Sequence, residues 1–421
     1  MEKLNQVLLN PAVQVGPNLD AWLQAGGGLG LQVALGARST IIRQIADADL
    51  RGMGGAGFPA WRKWEATANA VGDSKYVVCN GNEDEPGTFK DRTLLSASPH
   101  QVVEGALIAA LAVRAACVIF YINPHQGQSM QHMQLAVSQW QHSTLLQQLE
   151  QALGHPLEIK VVASSGRYIG GEETAVVASL EAGFPFPRKK PPFPAEQGIN
   201  GQPTLINNVE TLANVSHILR HGADWYRALG VGKASGTKLY SLSGDVLRPG
   251  LYELPMGTSL QELVFHYGGG MLQGKAFKAV FTGGPSNTLL TARDLDVALD
   301  FDSVWLRHSR LGTGAMIVIS EGSSIIRKVA EYIDFFAKGS CGQCPSCKCG
   351  TFQLARLLDR VDGGRHSHAD LDALQHLCQI LPGSGRCGLI DGAVTVVKSS
   401  MHTFPQEYGL PVSAEPSTAT A

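Results

Sequence analysis

Ser340-Cys341-Gly342-Gln343-Cys344-Pro345-Ser346-Cys347, with a lone Cys387 forty residues further on, decides how the C-terminal part of this chain is read. Three thiols at intervals of three residues face one point when the backbone coils tightly between them. A fourth arriving from a distant segment closes a four-thiolate cage, the ligand set of a [4Fe–4S] cluster. The bacterial ferredoxin run, with its last Cys three residues on and then Pro, is absent. The spacing therefore predicts one cluster held by Cys341, Cys344, Cys347 and Cys387. Two other readings stay open. Zinc also takes four cysteines, though usually as two separate C-x2-C pairs, and the thiols could carry no ligand. Disulfides suit a small secreted chain rather than 421 residues without a recognisable signal peptide. Cys349 is a fifth thiol nearby, but neighbours two apart face different ways on a helix or strand. Cys79, Cys117 and Cys378 stand in apolar or mixed contexts and read as buried.

At 44% hydrophobic residues the chain can bury a large core, and its length predicts two or three domains. A formal net charge of −2 argues against a polyanion-binding surface, so nucleic acid is not an expected partner. The longest apolar run, Val102 to Ile122, is broken by Glu104 and Arg114. It reads as a buried helix leading into a strand (Cys117 to Ile122), not a membrane span. A thiol-rich cluster site suits a reducing interior, so a soluble cytoplasmic chain is expected.

Residues 1–235 alternate strand-like runs, such as Tyr76-Val77-Val78-Cys79, with helix-like segments, which predicts a layered α/β domain. From residue 236 the character changes. Lys238 to Ser243, Gly244-Asp245 and a second run to Leu254 read as a hairpin, and Thr258 to Leu263 as a capped helix start. A β-grasp module fits 236–320. In 321–421, Ile325, Val329, Ile333 and Phe336 share a face of a helix ending at Gly339, and a second helix, Asp370 to Leu381, delivers Cys387. The tail after Val412 reads as frayed.

Gly52-Met53-Gly54-Gly55-Ala56-Gly57 satisfies G-x-G-x-x-G, but no apolar strand leads into it, so it is not a Rossmann fingerprint. Consecutive glycines still let backbone N–H groups approach a phosphate or a flat ring. Phe58, Trp61 and Trp64 offer flat surfaces beside it and Lys63 a cation; the bland reading is a surface turn beside core aromatics. Asn80-Gly81-Asn82-Glu83-Asp84-Glu85-Pro86-Gly87 follows a strand-like run, and strand ends in α/β sheets are where ligands sit. Tyr168-Ile169-Gly170-Gly171-Glu172-Glu173 opens a helix, where capping alone explains acids in the first turn. Arg188 to Pro194, with Lys190 and Phe193, and Ile206 to Thr211, with Asn207 and Asn208, complete the unusual polar loops.

Together these segments resemble the 51 kDa NADH- and flavin-binding subunit of respiratory complex I, a family that includes diaphorase subunits of NAD-linked hydrogenases and formate dehydrogenases. The resemblance spans roughly residues 35 to 400. It implies a Rossmann-like FMN domain, a ubiquitin-like β-grasp (SLBB-type) domain and a C-terminal helical bundle with one [4Fe–4S] cluster. It implies FMN contacts at Gly52, Gly54, Gly55, Lys63, Asn80, Glu83, Tyr168, Gly171, Glu172, Asn207 and Asn208, with Gly57 and Asn82 in the same cofactor-binding set. NAD(H) would stack its adenine near Phe58 and Phe193, with Glu85 and Glu173 beside nicotinamide and ribose and Lys190 near the nucleotide.

The resemblance further implies hydride transfer from NADH to FMN, then single electrons to the cluster and on to partners. Those partners would be a thioredoxin-like [2Fe–2S] subunit and a further iron–sulfur or catalytic subunit, with the inner membrane reached only through them. Met53 stands where an Arg is usual, Asn82 where Asp is, Asp84 where Ser is, and Ala66 where some members have a second Phe. The alternative read from Met53, Asn82 and Asp84 is an electron-transfer subunit that keeps both cofactors without oxidising NADH productively.

Overall fold

The computed structural model describes residues 6–411, so the tail after Val412 lies outside the described residues. Four strands, β1 (Tyr76–Gly81), β2 (Cys117–Ile122), β3 (Glu158–Ala163) and β4 (Thr204–Asn208), form a parallel sheet in the order β3-β2-β1-β4. Their Val- and Ile-rich runs suit a sheet covered on both faces, and β2 is buried along its whole length. From β1 the chain builds outward to β2 and β3, then returns to lay β4 on the other side of β1. Connections leaving in opposite directions open a crevice at the carboxyl ends of β1 and β4. Asn80 and Asn208 are register partners at that edge.

The apolar run folds as expected, into helix Pro99–Val113 followed by β2. Gly105 lets this helix press on helix Val209–His221: a Cβ there would lie 1.9 Å from the Leu212 carbonyl oxygen. Glu104, which interrupts the run, accepts hydrogen bonds from Trp22 Nε1 (3.0 Å) and the amides of Gly28 (2.7 Å) and Leu31 (3.0 Å). A buried carboxylate so satisfied anchors the N-terminal helices to the core.

The second sheet contains β5 (Thr237–Gly244), β6 (Gly250–Pro255), β7 (Phe277–Thr282), β8 (Leu289–Thr291) and β9 (Ala315–Ser320), in the order β6-β5-β9-β7-β8. The expected hairpin is β5–β6, and β5 lies parallel to β9, as in a β-grasp. The capped start is present at Ser259, whose amide and hydroxyl exchange hydrogen bonds with Glu262, but the turn Glu262–Tyr267 is wound as a π-helix.

Helices Ile325–Gly339, Pro345–Asp362, His368–Ile380 and Leu389–Thr403 form the C-terminal bundle. Ile325, Val329, Ile333 and Phe336 are all buried on one side of the first. The second has no counterpart among the sequence expectations: it starts inside the cysteine run, with Pro345 at a position where a missing N–H costs nothing. The third begins at His368 because Ser367 and Asp370 cap each other across its first turn. Among the described residues no helix is long and apolar enough to cross a membrane.

Candidate active site

A crevice of about 870 Å³ opens at the ends of β1 and β4. Gly54, Asn80, Asn82, Glu83, Glu85, Tyr168, Gly171, Glu172 and Asn208 line it, together with Asp84, Thr88 and Asp91. The glycine loop is held in place by Arg51 and Asp302 (2.8 Å), by a bridge between Gly55 and Gly312, and by the Met53 amide donating to Thr211 Oγ1 (2.9 Å). The Met53 side chain is buried in the core. Gly54 is the member of the loop that faces the crevice, and a Cβ on it would stand 3.0 Å from Asn208 Cβ.

The acidic turn is wired on one side and open on the other. Glu83 accepts from the Asp91 amide (2.6 Å), the Arg92 amide (3.2 Å) and Arg92 Nε (2.7 Å), capping helix Lys90–Ala97. Asp84 accepts from Asn123 Nδ2 at 3.1 Å, and burial raises its pKa. Glu85 accepts from the Tyr168 hydroxyl at 2.8 Å through Oε2, while Oε1 is shut from solvent without a hydrogen-bond partner. Burial raises Glu85 to about 7, against the pull of the Tyr168 bond. An orphaned oxygen on a residue of the crevice wall leaves an acceptor for a polar ligand group to satisfy. Asn80 Nδ2 donates to the Gly171 carbonyl (2.9 Å) and Asn82 Nδ2 to that of Arg167 (3.0 Å), fixing the Gly-Gly turn over the crevice. Glu172 caps its helix by accepting from the amides of Thr174 (2.8 Å) and Ala175 (3.0 Å).

Other expected residues lie outside the crevice wall. Glu173 bridges Lys63 and Lys190, each at 2.7 Å; burial works to raise its pKa, but the two ammonium groups hold it below the usual range. Phe58 and Phe193 are 46% and 49% exposed, available as flat platforms. Asn207 is turned toward Trp64, whose buried indole N–H donates to its Oδ1 at 2.8 Å. Gly52 and Gly57 shape the loop, closing a hydrogen bond between themselves at 3.2 Å. The sequence reading missed the wall supplied by the β-grasp, including Ser286, Asn287, Thr288, Trp305 and His308. The available signal was Gly283-Gly284: a Cβ on Gly284 would fall 2.2 Å from Glu85 Oε1.

Cys341, Cys344, Cys347 and Cys387 line one small cavity, whereas Cys349, two residues on from Cys347 in the same helix, is exposed. Among the described residues no three His, Cys, Asp or Glu stand close enough to grip a single metal ion. Burial pushes the Cys387 thiol up to about 12, so a thiolate there needs the compensating charge of a bound metal centre. Ile169, Cys387 and Leu389 line both this cavity and the crevice.

The family model described as the Nuo51 FMN-binding domain matches residues 45–217, the SLBB domain 239–287, and the NADH-ubiquinone oxidoreductase-F iron–sulfur binding region 327–410. The chain is 39% identical over 404 residues to the F 2 subunit of NADH-quinone oxidoreductase from Rhizobium meliloti (strain 1021), covering 96% of each. It is 38% identical over 368 residues to the HndC subunit of the NADP-reducing hydrogenase of Solidesulfovibrio fructosivorans, covering 87% of this chain and 75% of that one. A solved NAD+-reducing [NiFe]-hydrogenase in the air-oxidized state matches 93% of the chain with a TM-score of 0.81 and 33% identity. The chain spans 66% of that hydrogenase chain. With a switch-point crevice, a β-grasp and a four-thiol cage in one order along the sequence, the chain belongs to the family of FMN- and [4Fe–4S]-binding subunits of NADH-quinone oxidoreductase.

Proposed function

We propose that this chain oxidises NADH at the crevice, passes hydride to FMN held there, and sends single electrons through the [4Fe–4S] cluster to a partner subunit. The shared wall of Ile169, Cys387 and Leu389 supports this reading, because the same three residues line the crevice and the cavity of the four thiols. A bound flavin supplies the change from two-electron to one-electron transfer.

The chain supplies position and field. Gly54 and Gly171 admit the flavin closely, with Gly52, Gly55 and Gly57 shaping the loop, and Asn80, Asn82, Glu83, Tyr168, Glu172 and Asn208 orient it while Lys63 and Asn207 support the wall from behind. Phe58 and Phe193 offer their exposed faces to adenine. Glu85 faces the nicotinamide, and Glu173, kept ionised between Lys63 and Lys190, accepts from ribose hydroxyls and repels a phosphate in their place. Cys341, Cys344, Cys347 and Cys387 hold the cluster. Holding both rings in contact makes the transfer effectively intramolecular, and no side-chain general base is needed.

The same reading divides the chain at 235/236 and 320/321, supported by the change of sheet at Thr237 and the start of the bundle at Ile325. It puts the protein in the cytoplasm, at the inner membrane only through partners: a thioredoxin-like [2Fe–2S] subunit and a further iron–sulfur or catalytic subunit. Relatives named as subunits support such an assembly. The test is ferricyanide reduction by anaerobically reconstituted protein. A rate with NADH well above that with NADPH supports the proposal; no rate with either leaves only the electron-transfer alternative.

A further inference from the structure

Four charged side chains are shut inside the joint between the two sheets. Lys90, Lys238 and Glu210 have no exposed surface and Asp91 almost none. Glu210 opens the helix that follows β4, yet its carboxylate reaches across to the β-grasp. Its Oε1 accepts from the Leu239 amide of β5 (2.8 Å), and its Oε2 lies 3.1 Å from Lys238 Nζ and 3.0 Å from Lys90 Nζ. Lys90 Nζ continues to Asp91 Oδ1 (2.7 Å) and Asn208 Oδ1 (2.8 Å). Asn208 Nδ2 closes the chain on Asp91 Oδ2 at 2.8 Å. Asp91 and Asn208 line the crevice.

Holding two domains together does not require this. Burying charges is expensive, and well-packed apolar residues often serve stability as well or better. What the network achieves is a continuous line of charge from a β-grasp strand to the crevice wall. Gly314 leaves room for it: a Cβ there would lie 2.5 Å from the Leu239 carbonyl oxygen and 3.1 Å from Lys238 Cε.

We propose that Lys238, from the β-grasp, is a positioning residue for the flavin site. It fixes Glu210 and, through Lys90, the Asp91–Asn208 pair that faces the crevice, and its charge balances the field there. The two ammonium and two carboxylate groups cancel, so losing either Lys238 or Glu210 leaves one uncompensated charge in a low-dielectric wall. This rests on the reading that flavin occupies the crevice beside Asn208.

The test uses the full chain carrying Lys238→Met, Glu210→Gln or both. The readouts are the dissociation constant for FMN, from fluorescence quenching on reconstitution, and the two-electron midpoint potential of the bound flavin. Lys238→Met leaves a negative charge, so reduced flavin is held about tenfold less well relative to oxidised, about 30 mV in potential. Glu210→Gln shifts the potential the opposite way by a similar amount, and the double variant returns toward the parent. A purely structural joint lowers the melting temperature of both single variants without moving the potentials in opposite directions, and that result overturns the proposal. Should Lys238→Met not fold, the sign of the Glu210→Gln shift decides. Flavin bound at the parent potential in both variants overturns this inference alone; no flavin binding by the parent overturns the reading of the crevice with it.

Discussion

The Tyr168 hydroxyl donates a 2.8 Å hydrogen bond to Glu85 Oε2, while its ring meets that of Phe335 edge-on at 5.1 Å on the helix that runs into the cysteine cage. One side chain therefore touches both the crevice acid and the helix that leads into the cysteine run. Removing the hydroxyl with Tyr168→Phe takes away the one contact that opposes burial at Glu85. Its pKa then rises from about 7, and the midpoint of the pH dependence of NADH oxidation moves up with it. Rates measured across neutral pH check this; an unmoved midpoint counts against Glu85 as the titrating group.

Glu85 also predicts how stability varies with pH. Its folded pKa lies above the ordinary 4.5, at about 7, so between these values the folded chain keeps a proton that the unfolded chain has released. The contribution of Glu85 to stability therefore falls as pH rises through that window and is fully lost above it. Glu85→Gln, which cannot ionise, should gain melting temperature relative to the parent between about pH 5 and about pH 8. A constant difference across that range would contradict the assignment.

The glycines of the crevice are not equivalent. A Cβ at Gly54 would press on Asn208 Cβ at 3.0 Å, whereas one at Gly171 would meet Asn82 Nδ2 at an ordinary 3.5 Å. Crowding of the first kind costs about 1–3 kcal/mol, so Gly54→Ala should weaken FMN retention about fivefold or more. Gly171→Ala should do so only through contact with the flavin itself. Far-ultraviolet circular dichroism should match the parent in both, and flavin released on dilution gives the comparison.

The thiols make a sharper division. Cys349 is exposed and does not line the cage cavity, while Cys387 does. Cys349→Ser should keep the full iron and sulfide content, and Cys387→Ser should lose most of it. Equal loss in the two variants would mean that the cage has been drawn around the wrong sulfurs.

Much of this was legible because the deciding signals are local. Ligand spacing in Cys341 to Cys347 depends on a few adjacent dihedrals, and the β5–β6 hairpin on a short connection, 245–249, although β5 runs on through Gly244 to pair with β9 where a turn at Gly244-Asp245 was expected. The helix from Pro345 was hidden because the cysteine run masks its apolar face until Leu354 and Leu358, which are buried in the bundle. Trp64 looked like a flat surface for a ligand, but nothing in the sequence shows that its indole N–H is spent on Asn207. Lys90, Asp91, Glu210 and Lys238 resemble ordinary surface charges until the two sheets close on them. The β-grasp wall of the crevice likewise depends on residues such as Glu85 and Gly284, which are remote in sequence and meet only in the fold.

The central claim is that a flavin in the crevice and a cluster in the cage exchange electrons across Ile169, Cys387 and Leu389. Anaerobic titration of the reconstituted protein with NADH, followed by visible absorbance and electron paramagnetic resonance, tests it directly. The account predicts bleaching of the flavin bands together with the signal of a reduced [4Fe–4S] cluster, and in Cys387→Ser the loss of the cluster signal alone. Flavin that stays oxidised with NADH in excess, or a cage that holds zinc and no iron, would contradict it.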